Sequence, residues 1–185
     1  AFTSFTTGAS KNSALGVNVL KANTTGNNNV AVGSGAMFTN TSGNFNTALG
    51  TEAGYLMQTV SNNTMLGYRA GYNTTLGSGN TFLGQSAGFG ASASSGTDNV
   101  AVGSRAMESV TSGSNNAAVG KLALYSNTGG ARNSGVGYYA SFKNTTGSDN
   151  LSFGAEALYE NQTGSSNVGI GYRTLFKTTT GDNVA

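Results

Sequence analysis

The five residues Asn99-Val100-Ala101-Val102-Gly103 also stand at Asn29 to Gly33, and a third copy opens at Asn183-Val184-Ala185. Looser copies of the pattern Asn-x-small-aliphatic-Gly begin at Asn12, Asn46, Asn63, Asn80, Asn116, Asn133, Asn150 and Asn167. Successive Asn residues lie 17 apart, except for a step of 19 from Asn80 to Asn99 and a step of 16 from Asn167 to Asn183. A fixed period of this length marks a repeat array, which grows by adding coils and not by enlarging one core. Residues 1–11 read as a partial coil, 12–182 as ten units of one solenoid domain, and 183–185 as the start of a further repeat. The run Ala91-Ser92-Ala93-Ser94-Ser95 falls in the long unit and reads as a surface loop bulging from one coil, because its neighbours keep phase.

Counted from the Asn, position 4 is large and apolar in every unit: Leu15, Val32, Leu49, Leu66, Leu83, Val102, Val119, Val136, Phe153 and Ile170. Period-two alternation makes positions 2–4 a short strand, with position 4 expected inward and position 3 on the opposite face. Position 5 is Gly throughout, at Gly16, Gly33, Gly50, Gly67, Gly84, Gly103, Gly120, Gly137, Gly154 and Gly171. An obligate Gly after a strand calls for positive φ or a close backbone approach, hence a corner. Position 8 is Ala in eight units, with Val19 and Thr174 as exceptions. Position 10 is aromatic in eight: Phe38, Tyr55, Tyr72, Phe89, Tyr125, Phe142, Tyr159 and Phe176. Positions 8–10 are therefore expected to form a second strand, followed by an Asn-x-Thr-Gly turn built on side-chain-to-backbone hydrogen bonds.

A helical reading fails, because every unit carries Gly, which costs about 1 kcal/mol relative to Ala in a helix interior. Two strands and two turns per 17 residues, kept in phase, predict an all-β parallel solenoid, a β-roll of about ten coils. Each coil advances the axis by about 4.8 Å, so equivalent side chains stack in columns. The Asn column (Asn12, Asn29, Asn46, Asn63, Asn80, Asn99, Asn116, Asn133, Asn150 and Asn167) is expected to be a structural amide ladder and not a ligand array. The aromatic column is either a stack buried between chains or an exposed sugar-binding strip. Burial between chains is preferred, because a 17-residue coil is too thin to hide so many rings. Position 7 varies most and is expected to face outward. That would bring Glu52 beside Arg69 and Glu156 beside Arg173 on adjacent rungs.

Charged residues are 9% of the chain and the net charge is +2, which gives no electrostatic reason to expect nucleic acid or an anionic membrane as partner. With no Cys and no His, disulfides and the common zinc and copper ligands are excluded, and no stretch is long and apolar enough to span a bilayer. Asp occurs only at 98, 149 and 182, so the calcium-binding solenoid motif is absent. Glu52, Glu108, Glu156 and Glu160 fall on different coils, so no carboxylate groove of an enzyme is expected, nor any cofactor or metal. Four Asn-x-Ser/Thr triplets fall at position 12, beginning at Asn23, Asn40, Asn144 and Asn161, where turn chemistry accounts for them.

The stretch Asn28-Asn29-Val30-Ala31-Val32-Gly33-Ser34-Gly35-Ala36 resembles the repeat of trimeric autotransporter adhesin heads, the parallel β-roll of the YadA type. The longer unit, Asn150 to Tyr159 with Asn161-Gln162-Thr163-Gly164, resembles repeats of phage tail fibres that precede endosialidase-type intramolecular chaperones. The period of 17 departs from the shorter adhesin unit, and no functional residue transfers. The resemblance implies a homotrimeric, non-enzymatic fibre segment, extracellular on a cell surface or virion tail, serving as a stiff spacer or adhesive shaft. Its implied partners are copies of itself, as a trimer or end to end, and a host-surface glycan or protein. Two alternatives stand beside it: repeats that themselves form the receptor or adhesion site, and an ice-binding solenoid with a flat Thr array. The array is also expected to be a window on a longer fibre, since a solenoid end without a capping unit exposes unpaired backbone.

Overall fold

The computed structural model describes residues 9–75, 77–90 and 94–185. Among them lie ten three-residue strands: β1 Ser13–Leu15, β2 Val30–Val32, β3 Thr47–Leu49, β4 Thr64–Leu66, β5 Thr81–Leu83, β6 Val100–Val102, β7 Ala117–Val119, β8 Ser134–Val136, β9 Leu151–Phe153 and β10 Val168–Ile170. They form one parallel sheet in sequence order, a β-solenoid of nine turns from first strand to last. The pairing joins position to like position, as in Ala31 to Ala48 and Val100 to Ala117. The extra residues between Asn80 and Asn99 leave this register intact, with Thr81 paired to Val100. Of the run expected to bulge, Ala91, Ser92 and Ala93 lie outside the described residues, while Ser94 pairs with Thr74 of the preceding coil.

Each coil has one strand, not two. Positions 5–11 form a tight turn in place of the expected second strand. Positions 7 and 9 both take positive φ, for example Glu52 at 57° with Gly54 at 57°, and Leu122 at 61° with Leu124 at 48°. Two left-handed residues one apart curl the chain, so the side chains of positions 8 and 9 both turn inward and period-two alternation is lost. The axial hydrogen bonds continue through the turn all the same. Met37 N–H donates to Ala53 O (3.0 Å) and Thr39 N–H to Tyr55 O (3.1 Å) of the next coil, while Glu52 N–H donates back to Ser34 O (2.8 Å). This is why the composition favours neither regular strand nor helix yet leaves few backbone groups unmatched.

The expected facing of the strand is also reversed. Position 3 points inward: Ala14, Ala31, Ala48, Met65, Phe82, Ala101 and Ala118 are buried. The aliphatics of position 4 point outward, with Leu15 62%, Phe153 54% and Ile170 58% exposed. The alternation was read correctly and its phase was not, for a volumetric reason. The interior of a 17-residue coil is filled by about one Met, Leu or Phe per rung, with Val19 beside Leu20 and Val110 in the coil of Met107, and ten stacked Leu, Val, Ile and Phe beside the Asn column would overfill it.

The large interior residue changes position from coil to coil. It is Leu20 and Met37 at position 9, Met57 at position 12, Met65 and Phe82 at position 3, then Met107, Leu124 and Leu158 at position 9 again. Where one position carries the bulk, another is emptied. A methyl group on Gly88 would collide with Phe82, one on Gly71 with Met65, and one on Gly54 with Met57. The coil of Gly135 and Ser141 has no large residue of its own. Leu124 of the preceding coil leans over Gly135, 3.1 Å from where a Cβ would sit, and the Ser141 and Ser152 hydroxyls hydrogen-bond at 2.9 Å.

Candidate functional site

The Asn column lines the inside edge of the sheet, on the same face as position 3. Asn29, Asn63, Asn80, Asn99 and Asn167 are wholly buried. Each Oδ1 accepts the main-chain N–H of the Asn on the next rung, at 2.8 Å from Asn29 to Asn12, 3.0 Å from Asn116 to Asn99 and 3.0 Å from Asn167 to Asn150. From Asn12 to Asn150 each Nδ2 donates to the carbonyl of position 15 in its own coil, as from Asn29 to Gly43 O (2.8 Å) and from Asn133 to Gly147 O (2.8 Å), while that of Asn167 donates to Asn150 Oδ1 (3.0 Å). One side chain therefore closes its own coil and binds it to the next. Asn80 reaches Gly96 O at 2.9 Å, so the coil closes in the same way despite its extra residues. With oxygen and nitrogen both engaged inside the fold, this column offers nothing to an external ligand.

The corner glycines answer both requirements at once. All ten have φ between 124° and 140°. They also lie against each other along the axis: a Cβ at Gly103 would sit 2.6 Å from Gly120 O, and one at Gly33 2.5 Å from Gly50 O.

Two further ladders went unrecognised in the sequence. At position 12 the amides run inside the coil, with Asn40 Nδ2 donating to Asn23 Oδ1 (2.9 Å) and Asn144 Nδ2 to Asn127 Oδ1 (2.9 Å). The Oδ1 atoms of Asn40, Asn144 and Asn161 lack a conventional donor. Each points at the Cα of the position-15 glycine (Gly43, Gly147 or Gly164), where a Cβ would overlap it, so a Cα–H···O contact fills the gap. At position 16 a side-chain oxygen accepts the N–H of the preceding rung, as in Asn44 N–H to Ser61 Oγ (3.0 Å) and Ser148 N–H to Ser165 Oγ (3.0 Å). The signal was present as an Asn, Ser or Thr at position 16 in eight of the ten units (Ala131 and the short last unit are the exceptions), obscured by the general abundance of these residues.

The aromatic column is half-buried in its own chain. Phe38, Tyr55, Tyr72 and Phe89 stack with centroids 4.9–5.2 Å apart. Tyr125, Phe142, Tyr159 and Phe176 form a second stack, at 5.0–5.2 Å. Glu108 occupies the position between the two stacks. Lys21 lies over Phe38 at 5.2 Å and Arg105 over Tyr125 at 5.1 Å, each covering the first ring of its stack. Within each stack the rings cover one another's faces. Burial raises the Tyr72 hydroxyl pKa above its ordinary value.

Four of the five ion pairs lie along the same flank, at positions 7, 10 and 11, and the fifth is at position 17. Arg69 meets Glu52 at 2.6 Å and Arg173 meets Glu156 at 3.2 Å, the two pairs expected across adjacent rungs. Arg132 with Asp149 (2.6 Å), Lys143 with Glu160 (2.8 Å) and Arg105 with Glu108 are further pairs. The hydrogen bond from Arg132 holds the Asp149 carboxyl below its usual range, and the Glu52 carboxylate raises Arg69. Five of the seven carboxylates are thereby engaged. Among the described residues no three of His, Cys, Asp and Glu gather where a metal ion could be held. No helix among them is long and apolar enough to cross a membrane. A hollow on the first rung, lined by Asn12, Ser13, Ala14, Leu15 and Val32, brings no titratable group together.

What remains is the outer face of the sheet, where positions 2 and 4 form two columns with no charged residue in any coil. Leu15, Val30, Leu66, Leu83, Val100, Val119, Leu151, Phe153 and Ile170 are all exposed on it. Comparison with family models, with curated proteins and with solved structures finds no match to this chain.

Proposed function

We propose that this chain is a structural segment of a trimeric fibre on a cell surface or virion tail, acting outside the cell as a stiff spacer or adhesive shaft. The observation that carries the reading is the unbroken axial bonding of one register through nine successive strand pairings. Main-chain ladders at the strand and the turn, together with side-chain ladders at positions 1 and 16 and amide pairs at position 12 (Asn23 with Asn40, Asn127 with Asn144), tie the rungs to their neighbours. Bending such a rod strains several hydrogen bonds on one rung together, which is the property a spacer needs. At about 4.8 Å per rung, the described coils span about 45 Å. The resemblance of the repeats to adhesin heads and tail fibres supports the same role, with homotrimeric self-association.

Two observations weigh against the alternatives. A sugar ring binds an aromatic by lying on its face, and here the faces within each stack are covered by neighbouring rings, with Lys21 over Phe38 and Arg105 over Tyr125 at the first ring of each. At position 13, the column richest in Thr, five hydroxyls are spent on main-chain carbonyls of the next rung, as where Thr41 donates to Gln58 O (3.1 Å), Thr111 to Thr128 O (2.8 Å) and Thr145 to Gln162 O (3.0 Å). They are not free to organise ice. Gold-labelled antibody against residues 12–182, applied to the native source, is expected to decorate a filament outside the cell or on a particle tail. Label confined to the cell interior with no filament overturns the proposal.

A further inference from the structure

We infer that the outer face of the β-sheet, built on the position-4 column Leu15, Leu66, Leu83, Val119, Phe153 and Ile170 with its neighbours, is the surface through which copies of this chain associate. The inference rests on the self-association in the fibre reading and names the face that performs it, which is not the aromatic column that the sequence suggested.

Three observations lead there. First, this face is continuous and apolar. Position 4 is aliphatic or aromatic in every coil, and position 2 is Ser, Thr, Ala, Val or Leu. The ion pairs all lie elsewhere on the coil, at positions 7, 10, 11 and 17. An exposed apolar patch of this extent marks an interaction surface. Second, its size fits once the adjoining position-6 column is included, where Val17, Tyr68, Tyr138 and Tyr172 are exposed and Lys121 is the one charge. Ten rungs of about 4.8 Å by five residues (positions 2–6) of about 3.3 Å give roughly 800 Å² per chain, the share each partner contributes to an interface of standard size. Third, its periodicity selects the occupant. Side chains recur every rung along ten rungs, and a surface with another repeat would lose register after a few contacts. A second copy of this chain has the same rung spacing, the same length and the same columns. The interior adds a reason for the arrangement: with space for one large residue per coil, the chain places its most regular aliphatic column on the outside, where only a partner can bury it.

The chain has no Cys, so single cysteines are clean probes. Leu83 lies near the middle of the column and meets the middle of a partner whichever way that partner runs. Leu83→Cys treated with a short thiol crosslinker is expected to give covalent oligomers in high yield, whereas Ser112→Cys, exposed on another side, gives almost none. Leu66→Lys/Leu83→Lys/Val102→Lys is expected to lower the solution mass to the single-chain 18.5 kDa with an unchanged far-UV spectrum. Ser112→Lys leaves the mass of the wild-type assembly. An oligomer that survives the triple Lys variant, or crosslinks equally well through position 112, overturns this face while leaving self-association intact. A wild-type chain that is a folded monomer at tens of micromolar overturns both this face and the trimer. The spacer role remains open to the antibody labelling, because one solenoid is already a rod.

Discussion

At the residue scale, the burden of the fold falls on polar side chains that are buried and matched. Asn99 accepts from the N–H and the Nδ2 of Asn116 and donates to Gly113 O. Asn99→Ala strands those partners in the interior, at about 1–3 kcal/mol for each group left unmatched. A loss of several kcal/mol in urea unfolding is expected, against a much smaller loss for Asn183→Ala on the half-exposed last rung. The four glycosylation triplets at position 12 illustrate the same burial from another side. Asn23 is 4% exposed and Asn40, Asn144 and Asn161 are wholly buried, so a glycan on any of them is incompatible with a closed coil. Folded protein secreted from a eukaryotic host is expected to show no glycan at these sites by mass spectrometry, with any occupied chains confined to the misfolded fraction. Gly88 and Phe82 test the packing. Positive φ is not the obstacle at Gly88, since Met107 takes φ 50° at the same repeat position. Gly88→Ala should cost about 1–3 kcal/mol by overpacking, and Phe82→Ala about 3–5 kcal/mol by leaving a cavity. Phe82→Ala/Gly88→Met rebuilds the arrangement of Ala101 with Met107, and its loss is expected to be well below the sum of the two. Additive losses would show that the two positions do not share one space.

At the element scale, a three-residue strand has no stability of its own and exists because it is paired on both sides. The corner after it is as demanding as the strand. Gly103→Ala meets both a φ of 134° and the carbonyl of Gly120, so neither conformation nor space accommodates the methyl. A sharp fall in melting temperature, larger than for Gly129→Ala, is the expected result; Gly129 has no atom closer than 3.7 Å to an added Cβ and no positive φ. The period and the corner were legible in the sequence because the Gly column is invariant and spatially forced. The second strand was misread because two left-handed residues at positions 7 and 9 leave no compositional mark: Glu, Arg, Leu, Met, Tyr and Ser all occupy them.

At the scale of the whole molecule, stability is spread along a one-dimensional array in which each coil contacts only its neighbours. Hydrogen exchange should therefore be slowest at the central rungs, around Val100 and Ala117, and fastest at the first and last. Equal protection along the array would point to a single cooperative unit. The pH dependence should be shallow, because there is no His and the charges lie in surface pairs, which contribute little to stability. Asp149 has its pKa lowered in the fold, so the unfolded chain takes up its proton first. Its contribution is present above the ordinary carboxylate pKa of about 3.9 and is lost as pH falls through the lower, folded value. Thermal melts from pH 5 to 9 should nearly coincide, with a decline confined to stronger acid.

By itself the sequence determined that this chain is a β-solenoid with a 17-residue coil, an Asn at one fixed phase and a glycine corner four residues later. Those features repeat ten times because each must satisfy the same backbone contact on the next rung, and repetition makes them readable without coordinates. It also placed Glu52 beside Arg69 and Glu156 beside Arg173, since adjacent rungs in register leave such pairs no other neighbour at that height. Only the tertiary structure decided which columns face inward. Alternation along a strand fixes that neighbouring side chains point oppositely, and two phases satisfy it equally. The choice between them belongs to the cross-section of the closed coil, where the interior has volume for one large side chain per rung. That volume is filled from position 3, 9 or 12 in turn, so no single column records it. The same limit puts the aliphatics of position 4 on the outside of the sheet.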